Sequence, residues 1–384
     1  MKEIFSIFIL YCVSFTGVTQ TPSEIIALVK LDSLVKTVRE FSGEDSCSVG
    51  GNKIKLINRV SNSGNDLAAD YLVERLNAIG VTVTDDVYSA LGRNVYATQL
   101  GTVHPDSIVM IGCHYDAVAD YCADDNASGV GILLEAARIL SKYQFKKTIV
   151  YAFWDEEEIG LLGSKHHALQ ANSRRDKITA VLNIDMAAYD ANNDGVFDID
   201  LNTNTGSVKM KDDLIAIDLA NNLNITPMVV QPGTADSDHS SFWNYGYAGV
   251  LLGESWETND QNSKYHTAQD RIHLFNLPYY HEIAKLAIAY LGQIAESVSG
   301  VSVQNTVVQP LNAYLNQSTN NLHVNLLSSS ILKLIDVNGQ LLIEKQLPKG
   351  QSIINVDEFQ QGIYLVQTYA NEDQKLSEIK IIKN

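Results

Sequence analysis

The sequence predicts a three-layer αβα sandwich on a mixed, mostly parallel sheet, followed by a small all-β domain. Three observations carry this. Apolar runs of strand length alternate with helical patterns up to about residue 297. The helical period then stops. From residue 311 onward a two-residue alternation takes its place.

Taken in order, residues 55–79 carry a helical pattern through Leu67, Ala68, Tyr71, Leu72, Leu76 and Ile79, and Gly80 supplies the stop. Strand-like segments follow at Val81–Val83, Val95–Leu100 and Ile108–Gly112. The last is continuously apolar, as a strand buried on both faces requires. Gly129–Leu140 reads as a helix, Thr148–Phe153 and Ala180–Ile184 as strands, and Leu277–Ser297 as a closing amphipathic helix. Residues 300–310 are polar and β-branched and read as a linker. Beyond it, alternation marks strands at Leu332–Val337, Leu341–Gln346, Ser352–Val356 and Ile363–Thr368, with breaks at Asn338-Gly339 and Gln361-Gly362.

Ahead of the fold, Lys2, the apolar run Ile4–Val13 and a polar exit to Gln20 have the form of a secretory signal peptide, too short and wrongly flanked for a membrane span. The expected organisation is therefore 1–20 signal, 21–299 αβα domain, 300–310 linker and 311–384 β domain. With 45% hydrophobic and 19% charged residues the composition is globular, and the net charge of −17 argues against nucleic acid as a partner. Cys47, Cys113 and Cys122 allow one disulfide at most. Cys113 with Cys122 is the expected pair, although spacing leaves Cys47 with either open.

Five segments carry metal-ligand chemistry, each at the end of an expected strand or in the loop after it. They are His114-Tyr115-Asp116, Ala123-Asp124-Asp125-Asn126-Ala127-Ser128-Gly129, Glu156-Glu157-Glu158-Ile159-Gly160, Asn183-Ile184-Asp185-Met186 and Tyr265-His266-Thr267. Singly, each is weak. A lone His after a strand is commonly a satisfied polar residue, a glutamate run is commonly a solvated face, and Asp185 could cap a helix. Jointly, two His and three or more carboxylates would be costly to gather in one cleft without a cation. Mixed imidazole and carboxylate donors suit hydrolytic zinc.

In this order and spacing the segments resemble the two-zinc aminopeptidases of peptidase family 28. The likeness runs from about Asn58 to Ser297 and takes in Ser237-Asp238-His239-Ser240-Ser241-Phe242 and Gly246-Tyr247-Ala248-Gly249-Val250. The resemblance implies two zinc ions bridged by Asp125. His114 and Asp185 would complete one site, Glu158 and His266 the other. It implies that Asp116 orients His114, that Glu157 is the general base, and that Tyr265 helps hold the oxyanion. It further implies peptide substrates with free N-termini. Ser237 or Asp238 reads equally well as a helix cap. A related glutaminyl cyclase with one zinc, a carboxypeptidase using Arg271 and a non-enzymatic binding domain are the competing readings.

Two features stand apart. Asp190, Asn192, Asp194, Val196 and Asp198 follow calcium-loop spacing, but Leu201 stands where the last glutamate belongs, so an Asn/Asp-rich turn is the other reading. The tail segments Leu334–Gly339, Gly362–Val366 and Lys380–Asn384 resemble the C-terminal sorting domain of type IX secretion. That resemblance implies secretion machinery as a partner and a secreted or cell-surface location.

Overall fold

A computed structural model describes residues 20–302, 312–316, 319–326, 328–336, 340–369 and 375–383. The signal-peptide segment, the rest of the expected linker and the Asn338-Gly339 turn lie outside them. Contacts divide the chain into two units, residues 1–303 and 304–384.

Eight strands form the central sheet of the first unit. In chain order they are β1 (Thr82–Val87), β2 (Arg93–Gln99), β3 (His104–His114), β4 (Lys147–Trp154), β5 (Lys177–Ile184), β6 (Val196–Leu201), β7 (Thr226–Val230) and β8 (Gly249–Glu254). In space the order is β7-β6-β8-β5-β3-β4-β2-β1. The run β8-β5-β3-β4 is parallel, as is β7-β6. The pairs β6-β8, β4-β2 and β2-β1 are antiparallel.

Alternate residues of the central strands enter two different cores, which is why their sequences read as unbroken apolar runs. Val109, Ile111 and Cys113 of β3 enter the larger core with Ile149, Tyr151 and Phe153 of β4. Met110 enters the smaller one with Val150, Ala152 and Trp154. The same parity puts Gly112 and His114 on the smaller-core face. A Cβ on Gly112 would sit 2.1 Å from the Trp154 ring, so the indole occupies the space that the glycine leaves.

Helices α1 (Leu31–Phe41), α2 (Asn62–Ile79), α3 (Gly129–Leu140), α4 (Leu162–Arg174), α5 (Thr205–Asn221) and α6 (Leu277–Ala295) cover the sheet. From β3 the chain crosses to β4 on one side and then returns to β5 on the other. The carboxyl end of β3 is therefore the switch point, where an open α/β sheet leaves a crevice.

Three expectations need correction. Helix α2 starts at Asn62 rather than 55, because the Ser61 hydroxyl caps it by accepting from Gly64 N. The stretch before it turns Arg59 inward. That fully buried guanidinium donates to the carbonyls of Phe41, Tyr115, Tyr121 and Cys122 and so fixes the loop after β3. Helix α6 stops at Ala295, since Glu296 is left-handed at φ 58°. Ser297–Ser302 is then a strand paired with Tyr143–Phe145, so strand pairing reaches into the first residues of the expected linker. Finally, the three cysteines are free and buried. Cys113 faces the larger core, while the Cys122 thiol donates to the Ala119 carbonyl at 3.5 Å.

The second unit is all β. A three-stranded sheet (Asn312–Asn316, Asn321–Leu326, Gly350–Asn355) and a four-stranded sheet (Leu341–Leu347, Ser330–Asp336, Gly362–Tyr369, Lys375–Lys383) share a core with Leu322, Val324, Leu332, Leu334 and Val366. Its basic end is anchored: Lys383 Nζ donates to the carbonyls of Val356, Asp357 and Phe359.

Candidate metal centre

The five segments meet at the carboxyl end of the parallel strands. His114 ends β3 and Asp185 directly follows β5. Asp125 lies in the irregular turn that leads into α3. Glu157 and Glu158 follow β4, and His266 comes from the long loop after β8. Several loop residues here are left-handed without being glycine, among them Tyr121, Cys122, Glu156, Leu161, Met186 and His266. Such backbone persists only where the surrounding structure over-determines it, and it concentrates at functional sites.

Two donor clusters share Asp125, and a third group, His114, Glu157 and Glu158, overlaps both. In the first, His114 Nε2 lies 3.2 Å from Asp125 Oδ1 and 3.2 Å from Asp185 Oδ1. In the second, His266 Nε2 lies 3.4 Å from Asp125 Oδ2 and 3.0 Å from Glu158 Oε2. Glu157 stands beside them, with donor atoms close to His114 and Glu158.

Neighbouring groups fix these side chains. Asp116 approaches His114 Nδ1 at 3.4 Å and accepts from the backbone N–H of both Glu157 and Glu158 at 3.2 Å. One carboxylate thus positions both the first histidine and the glutamate pair. Ser237 donates to Asp185 Oδ2 at 2.6 Å. Ser237 therefore serves the cluster, and neither it nor Asp238 caps the following helix. Asp270 accepts from the N–H groups of Asp124 and Asp125, and Asn262 donates to it. Sequence reasoning missed Asp270, although it stands four residues after His266.

The donor set fits a metal. Among the described residues Asp125 Oδ2 and Glu158 Oε1 have no hydrogen-bond partner, although both atoms are buried. Buried carboxylates without partners are costly. Burial pushes Glu158 up to about 9 and Glu157 up to about 10, in both cases against a lowering by His114. Burial also works against a charged His114, but Asp185 and Glu157 outweigh it and hold the imidazole well above its ordinary value. The cluster draws in positive charge, and oxygen–nitrogen donors of this kind suit zinc.

The clusters open into a cleft of about 870 Å³, also lined by Tyr265, Thr234, Met186 and Trp256. The Tyr265 ring stacks on His266 with centroids 3.6 Å apart. Arg271 is not in this cleft. Glu44 holds it through two bonds of 2.6 and 2.9 Å, and it lies over the Tyr121 ring. The calcium-type spacing is realised only in part. Asp190 and Asp194 come together and Asp260 joins them. Asn192 Nδ2 donates to Asp194, and Val196 N donates to Asp194 Oδ1. Asp198 faces the cleft instead, where it accepts from the backbone of Trp256 and Glu257.

Residues 94–291, just over half of the chain, match the model of peptidase family M28. Residues 312–384 match that of the secretion system C-terminal sorting domain, which marks a secreted or cell-surface protein. Among the described residues no helix is long and apolar enough to cross a membrane. Leucine aminopeptidase 1 of Penicillium rubens is 27% identical over 211 residues, 50% of this chain and 53% of that protein. The LapA aminopeptidase of Legionella pneumophila shares the fold at TM-score 0.61 and 20% identity, over 75% of this chain and 79% of that one. The glutaminyl cyclase of Porphyromonas gingivalis does so at 0.54 and 18%, over 70% and 99%. The chain spans only 24% to 53% of the length of the first curated relatives it matches, three of which are named probable zinc metalloproteases.

Proposed function

This chain belongs to peptidase family M28, and on that premise we propose that it is an exported zinc aminopeptidase that removes N-terminal residues from peptides with free N-termini. The observation that carries the reading is the pair of clusters joined at Asp125, His114 and Asp185 on one side, Glu158 and His266 on the other. One zinc ion in each cluster is the stoichiometry they suit. Zinc bound there supplies Lewis acidity toward water and the scissile carbonyl.

The remaining work falls to the chain. Glu157, not needed by either cluster, takes the proton of the attacking water and delivers it to the departing amine. Its proton affinity, raised by burial, is lowered when cations fill the clusters, which brings it toward working pH. Tyr265 offers its hydroxyl to the carbonyl oxygen as charge develops there. Asp116 keeps His114 and the Glu157–Glu158 backbone in register.

A cyclase shares the fold but needs only one zinc, and the complete second cluster favours the peptidase. A carboxypeptidase needs a cation for the terminal carboxylate, and Arg271 is committed to Glu44. In the same reading residues 1–20 are removed on export, 21–299 form the catalytic domain, and 311–384 engage the secretion machinery. Asp190, Asp194 and Asp260 would take a calcium ion. A rise of a few degrees in Tm on adding calcium tests that, and an unchanged Tm rejects it.

The test of function is a panel of aminoacyl-anilides with the full chain, before and after chelation and zinc re-addition. Cleavage of free-amine substrates, sparing of acetylated ones and recovery at about two zinc ions per chain are expected. Cyclisation of N-terminal glutamine without anilide cleavage would reassign the chain to the cyclase reaction.

A further inference from the structure

The cleft continues past the metal clusters along β6. Asp198 and Asp200 both line it, while Phe197, Ile199 and Leu201 enter the core from the other face of that strand. The two carboxylates differ. Asp198 is saturated: it accepts from Ser255 Oγ at 3.1 Å, Trp256 N at 2.8 Å and Glu257 N at 3.1 Å, and so fixes the turn that carries Trp256. Among the described residues Asp200 accepts only from Thr234 N, at 2.8 Å through Oδ1. Among the same residues its Oδ2 has no hydrogen-bond partner; that oxygen opens into the cleft, although the residue as a whole is only 7% exposed. Gly233 makes this geometry, because a Cβ there would stand 2.6 Å from Asp200 Cβ.

Strand register fixes where that carboxylate lies. Asp200 pairs with Leu251 of β8, and Leu251 pairs with Asn183 of β5, two residues before Asp185. Two strand spacings put it roughly 10 Å from β5, within reach of a long side chain on a substrate whose scissile bond is at the metals. Leu251 forms the cleft floor between them, and two residues further along β8 Gly253, beside Asp198, carries no side chain, since a Cβ there would stand 2.6 Å from Asp185 O. Among the described residues lining the cleft, Lys165 is the only lysine or arginine, and its amine is tied to Gly160 O at 2.8 Å.

We propose that Asp200 forms the end of a subsite for a cationic side chain, so that the chain selects peptides beginning with arginine or lysine. A mostly buried carboxylate with an unused oxygen gains a charge-assisted hydrogen bond from such a group, and the Trp256 ring lining the same cleft offers a face to a guanidinium. The proposal rests on the aminopeptidase reading.

The experiment compares arginyl- with citrullyl-p-nitroanilide on the zinc-loaded full chain, since the two side chains differ in charge but hardly in shape. Binding of arginine amide and citrulline amide is measured alongside by calorimetry. A preference for arginine of about tenfold or more in kcat/KM is expected, falling to within about threefold in Asp200→Asn, which keeps the acceptor for Thr234 N. Anilide turnover without a charge preference overturns the subsite and leaves the peptidase intact. No turnover, but arginine amide bound more tightly in an Asp200-dependent way, upholds the subsite and removes the peptidase. Equal weakening of both side chains in Asp200→Asn also overturns the subsite, because it reports a structural role only.

Discussion

The two clusters share Asp125 but are closed off to different degrees. His114 is 1% exposed and Asp185 16%, whereas His266 is 40% exposed. The inner cluster is assembled by the ends of adjacent interior strands, β3 and β5, so the sheet itself sets its geometry. The outer one is completed by a loop that reaches back over the sheet and brings a left-handed His266 with it. Strand ends therefore give this centre its enclosed half and a loop its open half.

The largest expected effect tests what the two halves have in common. Glu157→Gln keeps shape and hydrogen bonding but removes the base between them. It lowers kcat by roughly 10²–10⁴-fold while zinc content is retained. A kcat within threefold of the wild type, at full zinc occupancy, would remove Glu157 from the proton path.

The next effect tests the asymmetry. His114→Ala strips the enclosed cluster and leaves Asp125 and Asp185 buried with no imidazole. His266→Ala opens a cluster that water already reaches. Titration with a competing chelator should show two release steps in the wild type, the outer ion leaving first. His266→Ala should weaken only that step, and His114→Ala should weaken the tighter one by at least tenfold. Equal steps, or the reverse order, would break the comparison.

Tyr265→Phe is smaller still. The hydroxyl sits on the open side, so its removal costs kcat about a hundredfold or less, with KM nearly unchanged. A rise in KM alone would make Tyr265 a binding residue.

The same division explains what the sequence could show. His114, Glu158 and Asp185 were legible because each follows or ends an apolar run, and a run of that kind ends at the edge of a sheet, while Asp125 was legible in the turn that opens the apolar helix Gly129–Leu140. The helix Gly129–Leu140 was read to the residue because its apolar period and its glycine start are local. Asp270, Ser237 and Arg59 were not legible as supports. Each acts on a partner far along the chain, Asp270 on Asp125 and Arg59 on the loop around Cys122. The calcium-type spacing misled at Asp198 for the same reason. Alternation on β6 turns its carboxylate to the cleft, and local spacing carries no information about the Trp256 turn it meets there. Cys113 and Cys122 are close in sequence, yet strand parity sends one into the core while the loop holds the other.

The smallest effect contrasts His114 with a buried histidine that has no carboxylate partner. His167, in the smaller core, accepts from Trp154 Nε1 through Nδ1 at 3.1 Å and is therefore neutral. Burial pushes it down to about 3, with Arg174 adding to the shift. An unfolded histidine titrates near 6.5. Between these values the unfolded chain binds the extra proton and the folded one does not. The stability His167 confers is thus complete above about pH 6.5 and falls as pH drops toward 3. One unit below 6.5 the loss is about 1.4 kcal/mol. Urea unfolding at pH 7.5 and 5.5 should show His167→Gln, which keeps an acceptor for the indole, losing less stability than the wild type by about that amount. Taking the difference between the two proteins cancels proton release at the metal clusters. Parallel pH profiles would mean that His167 is protonated in the folded state, and that the enclosure which separates it from His114 is looser than the packing around Trp154 implies.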